Sequence, residues 1–180
     1  MPDKPKLSGF RFFSEVPPKA FEAVEAACKI VDFPDQAVVF RPGDPADTLY
    51  CLVGGEVELS LEVHDKSLKA DVRHEESVHA QMVDHVREIV VDTVRSGQVF
   101  GWTALTGGGT RTVIARCAQA TTVCALPAAE LKAMIAKDHS LGYLIFMRLA
   151  EIIANRLNAR TDLLLEAWVE AFGASKVTPQ

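Results

Sequence analysis

Between Gln36 and Leu126 the chain carries brief runs of β-branched, aromatic and aliphatic residues: "QAVVF", "LYCLV", "VELSLEV", "EIVVDTV", "TVIARC" and "TTVCAL". Turn-rich stretches such as "RPGDPADT", "GGE" and "SGQVFG" divide them. Runs this short cannot bury a helical stripe, and their apolar alternation predicts antiparallel strands. About seven or eight short strands hide their edges best by closing on themselves, so a sandwich or jelly roll is expected.

Helical periods flank this β region. In "SEVPPKAFEAVEAACKI", Phe21, Val24 and Cys28 share one helical face, prolines stand at the first turn, and Ser14 or Glu15 is the expected cap. From Pro127 onward, "PAAELKAMIAKD" starts a helix at a proline, and a long helix then runs to a terminating Gly173. The expected fold is mainly β with flanking helices: an antiparallel jelly roll with an N-terminal helix and a long C-terminal helix. The expected boundaries are 10–136 for the jelly roll, 137–173 for the C-terminal helix, and flexible termini at 1–9 and 174–180.

That last helix is longer than a small domain needs. Leu149, Ile153, Leu157, Leu164 and Trp168 form a stripe along it, although Arg160 and Thr161 interrupt a strict heptad. Its end, "DLLLEAWVEAF", is too apolar around its circumference for the barrel alone to cover, which predicts a homodimer anchored by Trp168 and Phe172.

Charge and composition narrow the function. At 180 residues and 48% hydrophobic, one globular unit can bury a sizeable core. The net charge is −5 and the 19 Lys and Arg are scattered, so no basic footprint for nucleic acid exists. The start lacks a signal core, and "YLIFM" is far too short to span a bilayer, so a cytoplasmic protein with no membrane contact is expected. Cys28, Cys51, Cys117 and Cys124 form no C-x-x-C pair and read as reduced core thiols.

An insertion at about 64–87 holds His64, His74, His79 and His85 among Asp71, Glu75, Glu76 and Asp84. On a helix the histidines scatter, leaving Glu75 and His79 as a same-face pair, while Val78, Met82 and Val86 line up. A small amphipathic helix or an elongated hairpin is expected there, and no metal site.

Two further stretches carry a resemblance. "RPGDPADTLYCLVGGEVEL", with Gly43, Asp44, Ala46, Asp47, Tyr50 and Gly55, resembles the hairpin signature of the cyclic nucleotide-binding domain superfamily. "FGWTALTGGGTRTVIA" is similar to its phosphate-binding cassette, Phe-Gly-Glu-x-Ala-Leu followed by a loop and Arg-x-Ala, and fits without a gap. The resemblance implies a catabolite-activator-like sensor domain. It implies ligand contacts from Phe100, Gly101, Trp102, Thr103, Ala104, Leu105, Arg111 and Thr112, with Asn158, Arg160 and Thr161 as lid positions on the C-terminal helix.

The chemistry of such a cassette is plain. A short helix starting near Gly101 offers amides to an anion, glycine permits close approach, and Arg111 presents a planar fork to two phosphate oxygens. The competing reading pairs Arg111 with a carboxylate such as Asp44 or Glu56. Trp102 departs from the pattern: it stands where members that bind cyclic nucleotides carry a glutamate that accepts from the ribose hydroxyl. An indole cannot accept, and its bulk is expected where the sugar should lie. Bacterial relatives with Phe-Gly-Trp-x-Ala-Leu resemble this variant, which implies a subgroup whose ligand is not a conventional cyclic nucleotide or that binds none.

The leading expectation is therefore a small-molecule-sensing regulatory module, not an enzyme, with altered or lost cyclic nucleotide specificity. No resident cofactor is expected beyond a cyclic nucleotide or another small anionic ligand. The alternative is a ligandless module, its pocket plugged by Trp102, that binds a protein partner. A metal-dependent jelly-roll enzyme would need ligands on strands that carry almost none. Bacterial relatives continue into a helix-turn-helix, for which the sequence up to Gln180 leaves no room, so direct DNA binding is not expected.

Overall fold

The computed structural model describes residues 7–71, 79–107 and 109–173. Among these residues eight strands form two sheets: β1 (Lys29–Phe33), β2 (Val38–Phe40), β3 (Thr48–Gly54), β4 (Glu56–Asp71), β5 (His79–Arg95), β6 (Val99–Phe100), β7 (Ile114–Cys117) and β8 (Thr121–Pro127). One sheet has the order β1-β8-β3-β6 and the other β2-β7-β4-β5, every pairing antiparallel. The helices are α1 (Pro18–Ala27), the single turn α2 (Thr103–Thr106), α3 (Ala128–Lys137) and α4 (His139–Phe172). The jelly roll with helices at both ends is thus the observed fold.

Strand alternation divides the interior in two. Phe40, Leu52, Val57, Leu59, Val94, Phe100, Ala115, Cys117 and Val123 meet between the sheets. The other face of the first sheet gives Leu49, Cys51, Val99, Cys124 and Leu126 to a second cluster shared with the helices, through Val24, Leu131, Leu141, Ile145 and Leu149. The first sheet is therefore buried on both faces, and neighbouring residues of β6 look in opposite directions: Val99 toward the helices, Phe100 into the barrel. All four cysteines are free thiols.

Several expectations shift in detail. The chain joins the core before residue 10: Leu7 is buried in a 3-10 turn and its amide donates to Glu25 Oε1 at 3.1 Å. Neither Ser14 nor Glu15 caps α1, whose cap position is Pro17; Ser14 Oγ instead donates to Arg11 O at 2.8 Å. Strands β1 and β6 were not among the expected runs. One follows directly on the helical face of α1, and the other has two residues, too few to show a period.

The insertion takes the hairpin form. β4 and β5 pair from Glu56↔Arg95 out to Asp71↔His79, whereas β7 supports β4 only from Val57 to Ser60, so beyond Ser60 the two strands form an arm. His74, Glu75, Glu76 and Val78 lie outside the described residues. Among the described residues no three His, Cys, Asp or Glu gather as metal ligands, and no helix is long and apolar enough to cross a membrane.

On α4 the expected single stripe splits. Asp138 Oδ1 caps the helix by accepting from Ser140 and Leu141 amides at 3.0 and 3.1 Å. Leu149 faces the body and Ile153 is half-buried against it, while Leu157, Leu164 and Trp168 are 63%, 61% and 56% exposed. The exposed residues fall in a different register, Tyr143, Met147, Ala150, Ala154, Leu157, Thr161, Leu164 and Trp168, spaced alternately four and three apart.

Candidate functional site

Two loops build the site. Gly43 N–H donates to Arg111 O at 3.0 Å, Arg111 N–H to Asp44 O at 2.8 Å, and Ala46 N–H to Gly109 O at 3.0 Å. Asp44 Oδ2 accepts from the Arg41 amide at 2.7 Å and tightens the first loop. The "RPGDPAD" turn and the loop ahead of Arg111 are thereby one structure.

The Arg111 side chain turns inward and is 3% exposed. Nη1 donates to Gly101 O at 2.7 Å and to Thr103 Oγ1 at 3.3 Å, and Nη2 donates to Thr48 O at 2.6 Å. The guanidinium lies 4.4 Å over the Phe40 ring and 5.7 Å from that of Tyr50. Phe40, Tyr50 and Phe100 stack on one another with centroids 5.0 to 6.1 Å apart. Among the described residues no carboxylate forms an ion pair with Arg111: Asp44 holds the Arg41 amide and Glu56 pairs with Arg95 at 3.4 Å. Its Nε is buried without a partner. Burial pushes the Arg111 pKa down, offset in part by Tyr50, Asp47 and Asp44, and burial likewise pushes the Tyr50 phenol up.

Gly101 serves this arginine. Its φ is +72°, and a Cβ there would stand 2.8 Å from Arg111 Nη1 and 3.1 Å from the Tyr50 ring. Close approach is needed at this glycine, but by a side chain of the protein itself. In α2 the amides of Ala104 and Leu105 donate to Gly101 O and Trp102 O at 3.2 and 2.9 Å, leaving those of Trp102 and Thr103 outside these bonds.

The remaining expected site residues separate. Phe100 belongs to the barrel core, whereas Ala104 and Leu105 are buried in the helix-side cluster as packing. Trp102 packs against that same helix-side cluster and not among the barrel residues, so the space beside Phe40 and Tyr50 is filled by Arg111 rather than by indole. Thr112 is exposed. Asn158, Arg160 and Thr161 are exposed on α4, and no hydrogen bond or ion pair among the described residues links them to the cassette. Arg156, one turn earlier, reaches the residue just before it. Its Nη2 donates to Val99 O at 3.3 Å and its Nε lies 2.8 Å from Asp92 Oδ2. Sequence reasoning did not single out Arg156, Asp92, Phe40 or Thr48; only Phe40, closing the "VVF" run, carries a local signal.

A family model described as the cyclic nucleotide-binding domain matches residues 30–138. The chain belongs to the cyclic nucleotide-binding domain family. Solved structures agree on the fold. A cyclic nucleotide-binding domain from Methylobacillus flagellatus KT is 17% identical with a TM-score of 0.65, over 89% of this chain and 79% of that one. The catabolite activator protein of Thermus thermophilus is 21% identical, TM-score 0.57, over 87% of this chain and 62% of that one. The c-di-GMP responsive global regulator CLP of Xanthomonas campestris is 25% identical, TM-score 0.59, over 87% and 65%. The chain therefore spans under two thirds of either regulator's length. No curated protein matches this sequence.

Proposed function

We propose that this member of the family is a small-molecule-sensing regulatory module, without catalytic activity, whose cassette takes a small anion at Arg111 and whose cyclic nucleotide specificity is altered or lost. The observation that carries this reading is a buried guanidinium that, among the described residues, has no carboxylate ion pair and an orphaned Nε. Buried charges are ordinarily paired, and an anion reaching Nε and the Trp102 and Thr103 amides would supply the missing charge. A regulator of this fold responsive to c-di-GMP supports an anionic ligand other than a simple cyclic nucleotide. The bonds from Arg111 to Gly101 O and Thr48 O favour the second reading, a ligandless module that binds a protein partner.

Calorimetry on three proteins separates the readings. Wild type is expected to bind cyclic AMP and cyclic GMP poorly. A carboxylate does not stay against the helix-side apolar cluster where the indole packs, so Trp102→Glu should turn toward the cassette as a ribose acceptor; a charged hydrogen bond is worth about 1.5–3 kcal/mol, and affinity should rise roughly 10- to 150-fold. Arg111→Ala in that background should abolish the gain. Tight cyclic AMP binding by wild type would overturn the specificity claim.

The exposed register on α4 supports a homodimer, placing Leu157, Leu164 and Trp168 in a helix–helix seam between two cytoplasmic copies. Leu164→Asp with Trp168→Asp puts unpaired charges there. Sedimentation should then shift from dimer to monomer, and a wild-type monomer at micromolar concentration would retire the dimer.

A further inference from the structure

A cavity of about 340 Å³ lies on the other face of the first sheet, between α4, the 3-10 turn at Arg11–Phe13 and the β5–β6 connection. It does not include Arg111 or α2. Three guanidiniums line it, Arg148 and Arg156, two helical turns apart on α4, and Arg11, against two carboxylates, Asp92 and Glu151, which leaves an excess of one positive charge. Arg148 is spent, with Nη1 on Glu151 at 3.0 Å and Nη2 on Glu15 at 3.2 Å. Arg11 is not: it is highly exposed and only approaches Glu151, at 3.7 Å. Arg156 uses Nε toward Asp92 and Nη2 toward Val99 O, and no bond of the described residues engages its Nη1. The side-chain amide of Asn155 adds a donor on the same wall.

We propose that this cavity is a second ligand site, independent of the cassette, for a small organic or inorganic oxyanion bearing carboxylate or phosphate groups. Two guanidiniums with unspent donors and an amide, set around a concave space of ligand size, can serve the oxygen acceptors of such an anion. Phe12, Val99 and Ile152 supply an apolar wall, which admits the carbon skeleton of such a molecule.

The full chain is titrated calorimetrically with citrate and, separately, with inorganic phosphate. Saturable binding of at least one is expected at one site per chain that persists when Arg111 is replaced by Lys; citrate alone assigns a carboxylate site and phosphate alone a phosphate site. Arg11→Gln and Asn155→Asp, both exposed positions, should each weaken it about 10-fold or more. Arg111→Lys should remove only the cassette's share and leave binding at this site unchanged. Absence of binding with both probes overturns the proposal, as does binding indifferent to Arg11→Gln and Asn155→Asp. Loss in Arg111→Lys alone would move the anion to the cassette, overturning the second site while leaving the cassette reading intact.

Discussion

Arg111 and Arg156 hold carbonyls two residues apart at β6, Gly101 just after the strand and Val99 within it. Arg156, from α4, donates to Val99 O; Arg111, from the loop before β7, donates to Gly101 O. Arg156 lies beside a carboxylate, Asp92 at 2.8 Å, whereas among the described residues Arg111 bonds only neutral groups, two carbonyls and the Thr103 hydroxyl, over aromatic faces. A buried cation with its counter-ion is a fastening. One held by neutral dipoles, with Asp47 and Asp44 offsetting its burial only in part, is what the proposed anion site requires.

Stability measurements break or sharpen this contrast. Arg156→Met strands the Asp92 carboxylate and the Val99 carbonyl. Asp92 keeps a side-chain exposure of 26%, so water softens the loss to about 2 kcal/mol, below the roughly 3–5 kcal/mol of a fully buried pair. Urea unfolding should show it, and adding Asp92→Leu should recover more than half. Arg111→Met should change stability by less than about 1 kcal/mol, because relief from burying an uncompensated charge offsets its carbonyl bonds. Equal losses for the two variants would erase the distinction between them.

The smallest effect concerns the aromatic floor under Arg111. Burial raises the Tyr50 pKa in the folded state, so the stability that neutral Tyr50 contributes is fully present below the unfolded tyrosine value of about 10 and is lost as pH rises through the higher folded value. Tyr50→Phe should flatten the alkaline fall of stability between about pH 9 and 11. An unchanged slope would place the phenol in water.

What the sequence made legible follows from distance along the chain. The jelly roll was visible because alternation and turn residues are local, and the cassette because Phe100 to Arg111 lie in one run. The partners of Arg111 were not: Thr48 is 63 positions away, and nothing in "DTLY" marks its carbonyl as an acceptor. The pairing of Arg156 with Asp92 is hidden in the same way, since each residue alone reads as an ordinary surface charge. On α4 the reading merged two stripes because both faces are apolar; only the body's contact with Leu141, Ile145 and Leu149 tells the inner register from the outer. The direction of Trp102 also needed the fold, since the turn into α2 carries the indole toward the helices and away from Phe100.

The resonance of Arg111 Nε–H, followed by nitrogen–proton NMR while dimethyl phosphate is added, tests most directly whether this buried charge takes an anion. The account predicts a saturable downfield shift, as the orphaned donor gains a charged acceptor. An Nε–H signal that stays fixed while exposed arginines respond would contradict it, leaving Arg111 a structural brace in a closed barrel.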